Sequence, residues 1–189
     1  KLLAEIRETL DHGKELIHGE ETLKWLLKIL PNAPWQLQIA ALAHDIERAV
    51  SYSRGKTPPK PQKDNLTYDE YKNEHAIRSA KIMTSILRRH NICEEDVKRI
   101  ANIIERHEVG GDKESDLVRD ADSMRWFDSG HKKYLESFGI QGACEKGWWM
   151  YKRASHKAKG LIDSLTYDTN IMRFIDQRKN ALSYIDNTK

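Results

Sequence analysis

Apolar residues recur along this chain at the spacing of an α-helix, and no segment alternates apolar and polar residues as a β-strand does. Within residues 2–16, one face carries Leu2, Leu3, Ile6 and Leu10. The same spacing predicts further helices over residues 20–30, 35–52, 67–89, 92–107, 116–127 and 161–185. We therefore expect an all-α fold, a compact single-domain helical bundle.

Helix-breaking and helix-capping residues separate these segments. The sequence PNAP at 31–34 ends one helix, and Pro34 suits the first turn of the next. Residues 51–66 contain three prolines together with several basic residues, so they predict an exposed loop. Thr67 and Glu70 match a capping box, which predicts the start of the following helix.

The composition is that of a globular, water-soluble chain. Of its 189 residues, 39% are hydrophobic and 32% are charged, and the formal net charge is only +3. Such a balance does not favour nucleic acid or an anionic membrane as a partner. No apolar run approaches the roughly 20 residues of a membrane span, and no secretory signal is visible, so we expect a cytoplasmic protein. Cys93 and Cys144 form no CxxC motif and predict two reduced thiols.

One apolar stretch, AALAHDIERAV at 40–50, places His44 and Asp45 side by side in its middle. Burying an imidazole and a carboxylate costs several kcal/mol unless each finds a partner. A metal ion would be a partner for both. Neighbours on a helix point about 100° apart, so the pair could hold one ion from one side or place the carboxylate between two ions.

Three other histidines and one aspartate also lie on the predicted helices or at their ends. They are His18, His75, His107 and Asp122. Several such side chains pointing into a helical bundle make a metal site of nitrogen and oxygen ligands. This ligand set suits a divalent transition metal (Mn, Fe, Co, Ni or Zn), with Mg as a further candidate, and the site would hold one or two ions.

The pattern H…HD…H…H…D on an all-helical chain resembles the HD-domain superfamily of metal-dependent phosphohydrolases. It is carried by the segments IHGEETLKWLL, ALAHDIERA, EHAIRSAKIM, IIERHEVGGD and LVRDADSMRW. The resemblance covers residues 12–130. We expect residues 1–189 to form one domain, in which residues 131–189 are a C-terminal helical extension that packs on the core.

The resemblance implies roles for individual residues. The implied metal ligands are His18, His44, Asp45 and Asp122. Asp45 is implied as the catalytic carboxylate, and in a two-ion site it would also bridge the ions. The resemblance also implies that His75 and His107 hold a second metal or contact the substrate phosphate. His12 is the alternative to His18, and Asp120 is the alternative to Asp122. Arg48, one helical turn after His44, is expected to bind the phosphate, because Arg suits its bidentate recognition.

The expected function is hydrolysis of a phosphate ester, either a nucleotide or a small phosphorylated metabolite, by metal-activated water. The chain has no GxxxxGK[ST], GxSxG or HExxH motif, so a P-loop NTPase, a serine hydrolase and a zincin are disfavoured. Two alternatives stay open: a diiron oxygenase of the HD type, and a non-catalytic ligand-sensing HD module. The expected partner is a phosphorylated small molecule, with no membrane and no nucleic acid, and the chain is compatible with a homodimer.

Overall fold

The computed structural model describes residues 1–12, 15–55 and 67–186. Its helices are α1 (Leu2–Leu10), α2 (Glu15–Ile29), α3 (Trp35–Ala43), α4 (Ile46–Ser53), α5 (Tyr68–Arg89), α6 (Glu94–Arg106), α7 (Lys113–Arg125), α8 (His131–Arg153), α9 (His156–Asp163) and α10 (Thr169–Asp186). A π-helical turn, Trp126–Gly130, joins α7 to α8. No strand occurs in the described residues, which confirms the all-α prediction. None of the described helices is both long and apolar enough to cross a membrane.

The chain divides into two compact units, Lys1–Ala121 and Asp122–Lys189, and the division falls inside α7. The first unit holds α1 to α6 and the beginning of α7. The second unit holds the end of α7, the π-helical turn and α8 to α10. The expectation of one domain with an extension from residue 131 stays a prediction.

The core of the first unit comes from the apolar faces that the sequence spacing predicts. On α6, Ile100, Ile103 and Ile104 are each at most 1% exposed, and this helix packs against α3 and α5. Other side chains that are almost fully buried in this unit are Ile6, Leu10, Leu26, Leu37, Leu42, Ile46, Met83 and Leu87. Burial of each such side chain stabilises the fold by about 1.5–3 kcal/mol.

The start of α5 confirms the predicted capping box. The Thr67 hydroxyl accepts from the Glu70 backbone N–H, and the Glu70 carboxylate accepts from the Thr67 backbone N–H. The loop expected over residues 51–66 begins later than predicted, because α4 runs to Ser53. The rest of that loop, residues 56–66, lies outside the described residues.

The prediction of one continuous helix through His44 and Asp45 is wrong. Helix α3 ends at Ala43 and α4 begins at Ile46, and Asp45 has φ −104° and ψ 20°. The His44 ring donates from Nδ1 to the Ala41 carbonyl at 2.8 Å, which is the acceptor that a continuing helix would use for the N–H of residue 45. The polar pair therefore sits at a junction between two helices.

Helices α2 and α3 approach each other closely at Gly19. A Cβ atom at this position would lie 2.2 Å from the backbone oxygen of Leu42, a distance that real side chains do not show. The neighbouring residue on α2 is His18, and Leu42 lies two residues before His44. The glycine thus allows the contact that brings the two predicted ligands together.

In the second unit, the prediction of one helix over residues 161–185 is wrong. Helix α9 ends at Asp163 and α10 begins at Thr169. The Asp168 side chain accepts from the backbone N–H groups of Asn170 and Ile171, at 2.9 and 3.2 Å, and so caps a new helix. Helix α8 is itself kinked at Gly139, whose φ of 69° lies in the left-handed region.

We predict that Gly19→Ala destabilises the protein by about 1–3 kcal/mol, because its methyl group would collide with the α3 backbone. Gly160→Ala on α9 is the matched control: nothing lies within 4 Å of its Cβ position. There the substitution should stabilise by about 1 kcal/mol through helix propensity alone. Denaturant unfolding of both variants measures the difference, and equal changes would contradict the close approach of α2 and α3.

Candidate metal centre

Two fully buried histidines follow the last residues of their helices in the same way. His44 follows α3 and donates from Nδ1 to the Ala41 carbonyl at 2.8 Å. His107 follows α6 and donates from Nδ1 to the Ile104 carbonyl at 2.7 Å. A carbonyl can only accept a hydrogen bond, so in each neutral ring the lone pair is on Nε2. The protein thereby fixes the ring tautomer that a metal ligand needs.

Asp45 lies between these two rings. Its Oδ1 is 3.8 Å from Nε2 of His44 and 3.7 Å from Nε2 of His107. The three residues each offer one ligand atom, and these atoms all lie within 4.8 Å of one another. The residues are at most 4% exposed. Buried His and Asp side chains in this arrangement could hold a metal ion.

The second oxygen of Asp45 faces a different set of groups. Its Oδ2 is 2.9 Å from the Arg48 guanidinium and 3.4 Å from Nε2 of His18. Burial by itself would raise the pKa of the Asp45 carboxyl, but Arg48 and the imidazoles of His75 and His44 hold it well below its usual range. Asp45 is therefore an ionised carboxylate whose two oxygens face different groups of the cluster.

His75, on α5, is held between two carboxylates. Its Nε2 lies 2.6 Å from Asp45 Oδ1, and its Nδ1 lies 2.7 Å from Glu47 Oε2. Burial would raise the pKa of Glu47, but the hydrogen bond to His75 lowers it. Ionised carboxylates only accept hydrogen bonds, so each is a partner for a ring N–H. With a metal ion on Nε2, the contact of Nδ1 with Glu47 would be the carboxylate–histidine pair that commonly orients metal ligands.

His18 completes the group of histidines. It lies in the first turns of α2 with a side chain 12% exposed, and its Nε2 is 2.9 Å from Nε2 of His44. His12, the alternative in the sequence, is exposed and lies before α2.

A second buried ion pair adjoins His107. Lys72, on α5, contacts Glu108 through its ammonium group, and the two residues are 4% and 8% exposed. Glu108 Oε1 lies 3.2 Å from Nε2 of His107. Burial lowers the pKa of His107, but Glu108 and Asp45 outweigh this effect and raise it to about 9. Both neighbouring carboxylates thus favour a positive charge at this nitrogen, whether a proton or a metal ion.

Asp122 is the first residue of the second unit. It is 7% exposed, and its carboxylate accepts from the guanidinium of Arg153 on α8. Asp120, the alternative in the sequence, is also buried and belongs to the first unit. The role of Asp122 as a metal ligand stays a prediction.

Within the first unit, the structure brings together every residue that the sequence proposed there. These are His18, His44, Asp45, Arg48, His75 and His107. Sequence reasoning missed charged residues at the cluster, among them Glu47, Lys72 and Glu108. Glu47 and Glu108 had a usable signal, since each lies within two residues of a predicted ligand. Lys72 had none beyond its position one turn before His75.

Comparison with protein-family models matches residues 4–175 to the domain of unknown function DUF4202. The chain belongs to this family. No curated protein and no solved structure matches it. The matched range includes all the cluster residues of this DUF4202 protein, so the candidate metal centre lies within the family domain.

We predict that Glu47→Gln weakens the binding of a divalent ion such as Co²⁺ by about 10- to 100-fold, because the amide no longer orients His75 as a charged acceptor does. Calorimetric titration of the purified protein measures the affinity. Glu74→Gln is the control: Glu74 is exposed and pairs with Arg78 at 3.4 Å. Equal Co²⁺ affinity in the two variants would show that Glu47 does not support the site.

Proposed function

We propose that this DUF4202 protein is a metal-dependent phosphohydrolase, which cleaves a phosphate ester of a nucleotide or a small phosphorylated metabolite. The observation that carries the proposal is the convergence of His44, Asp45 and His107, whose ligand atoms lie within 4.8 Å in a buried part of the first unit. Their order along the chain is that of the HD-domain pattern. The resemblance implies His44 and Asp45 as metal ligands and His107 as a ligand of a second metal or a phosphate contact, so all three residues of the geometric group are among those it implies.

The donor set fits a divalent ion. His44, Asp45 and His107 would hold it, and His18 and His75 lie near enough to Asp45 to take part, at 3.4 and 2.6 Å. Imidazole and carboxylate ligands suit Mn, Fe, Co, Ni or Zn, and Mg more weakly. Asp45 would be the residue shared by two ions where two are bound, because its two oxygens face different groups of the cluster.

The residues around this centre support hydrolysis of an anionic ester. A bound divalent ion supplies a nucleophile at neutral pH by lowering the pKa of water to about 7, and it polarises a phosphoryl oxygen. Arg48 would hold the phosphate, since its side chain is 28% exposed while its guanidinium lies beside Asp45. The buried histidines keep bulk water out of the cluster, which strengthens these charge interactions.

The first test measures the metal content of the purified chain and screens phosphate esters and nucleotides with Mn²⁺, Co²⁺, Ni²⁺ and Mg²⁺. The proposal requires one or two ions per chain and phosphate release from one substrate class. Two irons with oxygen consumption and no phosphate release would instead establish the diiron oxygenase. A chain that takes up no metal would favour the non-catalytic ligand-sensing module.

We predict that Asp45→Asn abolishes metal-dependent phosphate release while the helical content stays the same, because the change removes one buried charge and keeps the side-chain shape. Phosphate-release assays and circular dichroism measure the two properties. Asp176→Asn, at an exposed position on α10, is the matched control and should retain full activity. Turnover by Asp45→Asn at the control's rate would remove Asp45 from the metal centre.

His75→Ala distinguishes one ion from two. Where the site holds two ions, loss of this ligand should lower the bound metal from about two to about one per chain, as measured by elemental analysis after dialysis. His90→Ala, at the end of the same helix, is the comparison, since His90 contacts Glu5 and no residue of the cluster in the described part of the chain. Unchanged stoichiometry would make His75 a substrate contact or a residue with no role at the site.

A further inference from the structure

The buried pair of Lys72 and Glu108 has no evident structural reason. Burying two opposite charges costs several kcal/mol per ion, and replacing such a pair by apolar residues of similar volume is often neutral or stabilising. Lys72 is 4% exposed on a helix whose other buried positions are mostly Ala, Met, Ile or Leu. A lysine in this position therefore points to a function for its charge.

Lys72 is placed to act at the metal centre. It lies three residues before His75 on α5, so both side chains leave the same face of that helix. Its partner Glu108 directly follows His107 in the chain and approaches its Nε2 to 3.2 Å. Arg48 reaches the same centre from α4 through Asp45. The two cations thus approach the cluster from different helices.

The charge balance of the cluster calls for an anionic ligand once metal is bound. When its imidazoles are neutral, as they are in metal ligands, the cluster has one more carboxylate than cations. The carboxylates are those of Asp45, Glu47, Glu108 and Glu15, and the cations are Arg48, Lys72 and Arg78. One divalent ion would leave the cluster with a net charge of +1, and two ions would leave +3. With two ions bound, a phosphate monoester, which is a dianion at neutral pH, balances this charge better than a diester monoanion.

We propose that Lys72 is a second phosphate-binding cation, which together with Arg48 selects the terminal phosphate of a monoester, and that Glu108 holds Lys72 in place until the phosphate arrives. A terminal phosphate has three non-bridging oxygens, and the site offers it three partners: the metal, the fork of Arg48 and the ammonium of Lys72. A diester has only two such oxygens. This inference rests on the proposed function.

The test compares two variants that differ only at residue 72, Glu108→Gln and the double variant Lys72→Met/Glu108→Gln. The double variant keeps no unpaired buried charge from the pair, so it should fold. The measurement is the affinity of inorganic phosphate for the full chain loaded with Co²⁺. We expect Glu108→Gln to bind phosphate at least as tightly as the unaltered chain, and the double variant to bind it about 10- to 100-fold more weakly.

A second readout is the rate ratio between p-nitrophenyl phosphate and bis(p-nitrophenyl) phosphate. The double variant should lose activity mainly on the monoester, whereas Lys81→Met, at an exposed position of α5, should leave the ratio unchanged. Metal content is measured on every variant. If the variants hold metal and both Glu108→Gln and the double variant bind phosphate equally, only the role of Lys72 is overturned. If the unaltered chain takes up no metal or releases no phosphate, the proposed function is overturned and this inference with it.

Discussion

The buried carboxylate of Asp45 is the charge around which the first unit is arranged. An ionised carboxylate at 4% exposure is stable only where partners surround it, and here they come from three further helices or helix ends: His18 on α2, His75 on α5 and His107 after α6. Arg48, one turn away on α4, supplies the neutralising charge. Removal of this carboxylate would leave these polar groups buried and without their shared acceptor.

Hydrogen bonds to the backbone fix the orientation of the two histidines that follow helix ends. In His44 and His107, one ring nitrogen satisfies a carbonyl at the end of a helix, where backbone acceptors lack helical partners. The same bond turns the other nitrogen toward Asp45. Helix termination and ligand orientation are therefore one interaction, and the cluster needs no separate scaffold to hold these two rings in position.

The sequence predicted the elements governed by local spacing and missed those governed by partners distant in the chain. The apolar face of α6 and the capping box at Thr67 follow from residues a few positions apart. The break in the helix at Asp45 does not follow from local spacing, because apolar spacing continues across it. Only the buried cluster favours the interruption. The break before α10 had a local signal in Asp168, a capping residue that the unbroken apolar spacing concealed.

Charged residues are the hardest part of such a site to find from sequence. On α5, Lys72 has the same local pattern as a residue on a solvated face, and only tertiary structure shows that it is buried. Elsewhere in the first unit the buried positions are occupied mainly by apolar side chains, in agreement with the pattern of the sequence. Departures from that pattern are concentrated around Asp45, where a stable fold alone would favour apolar residues. That concentration supports the proposal that this region binds charged ligands.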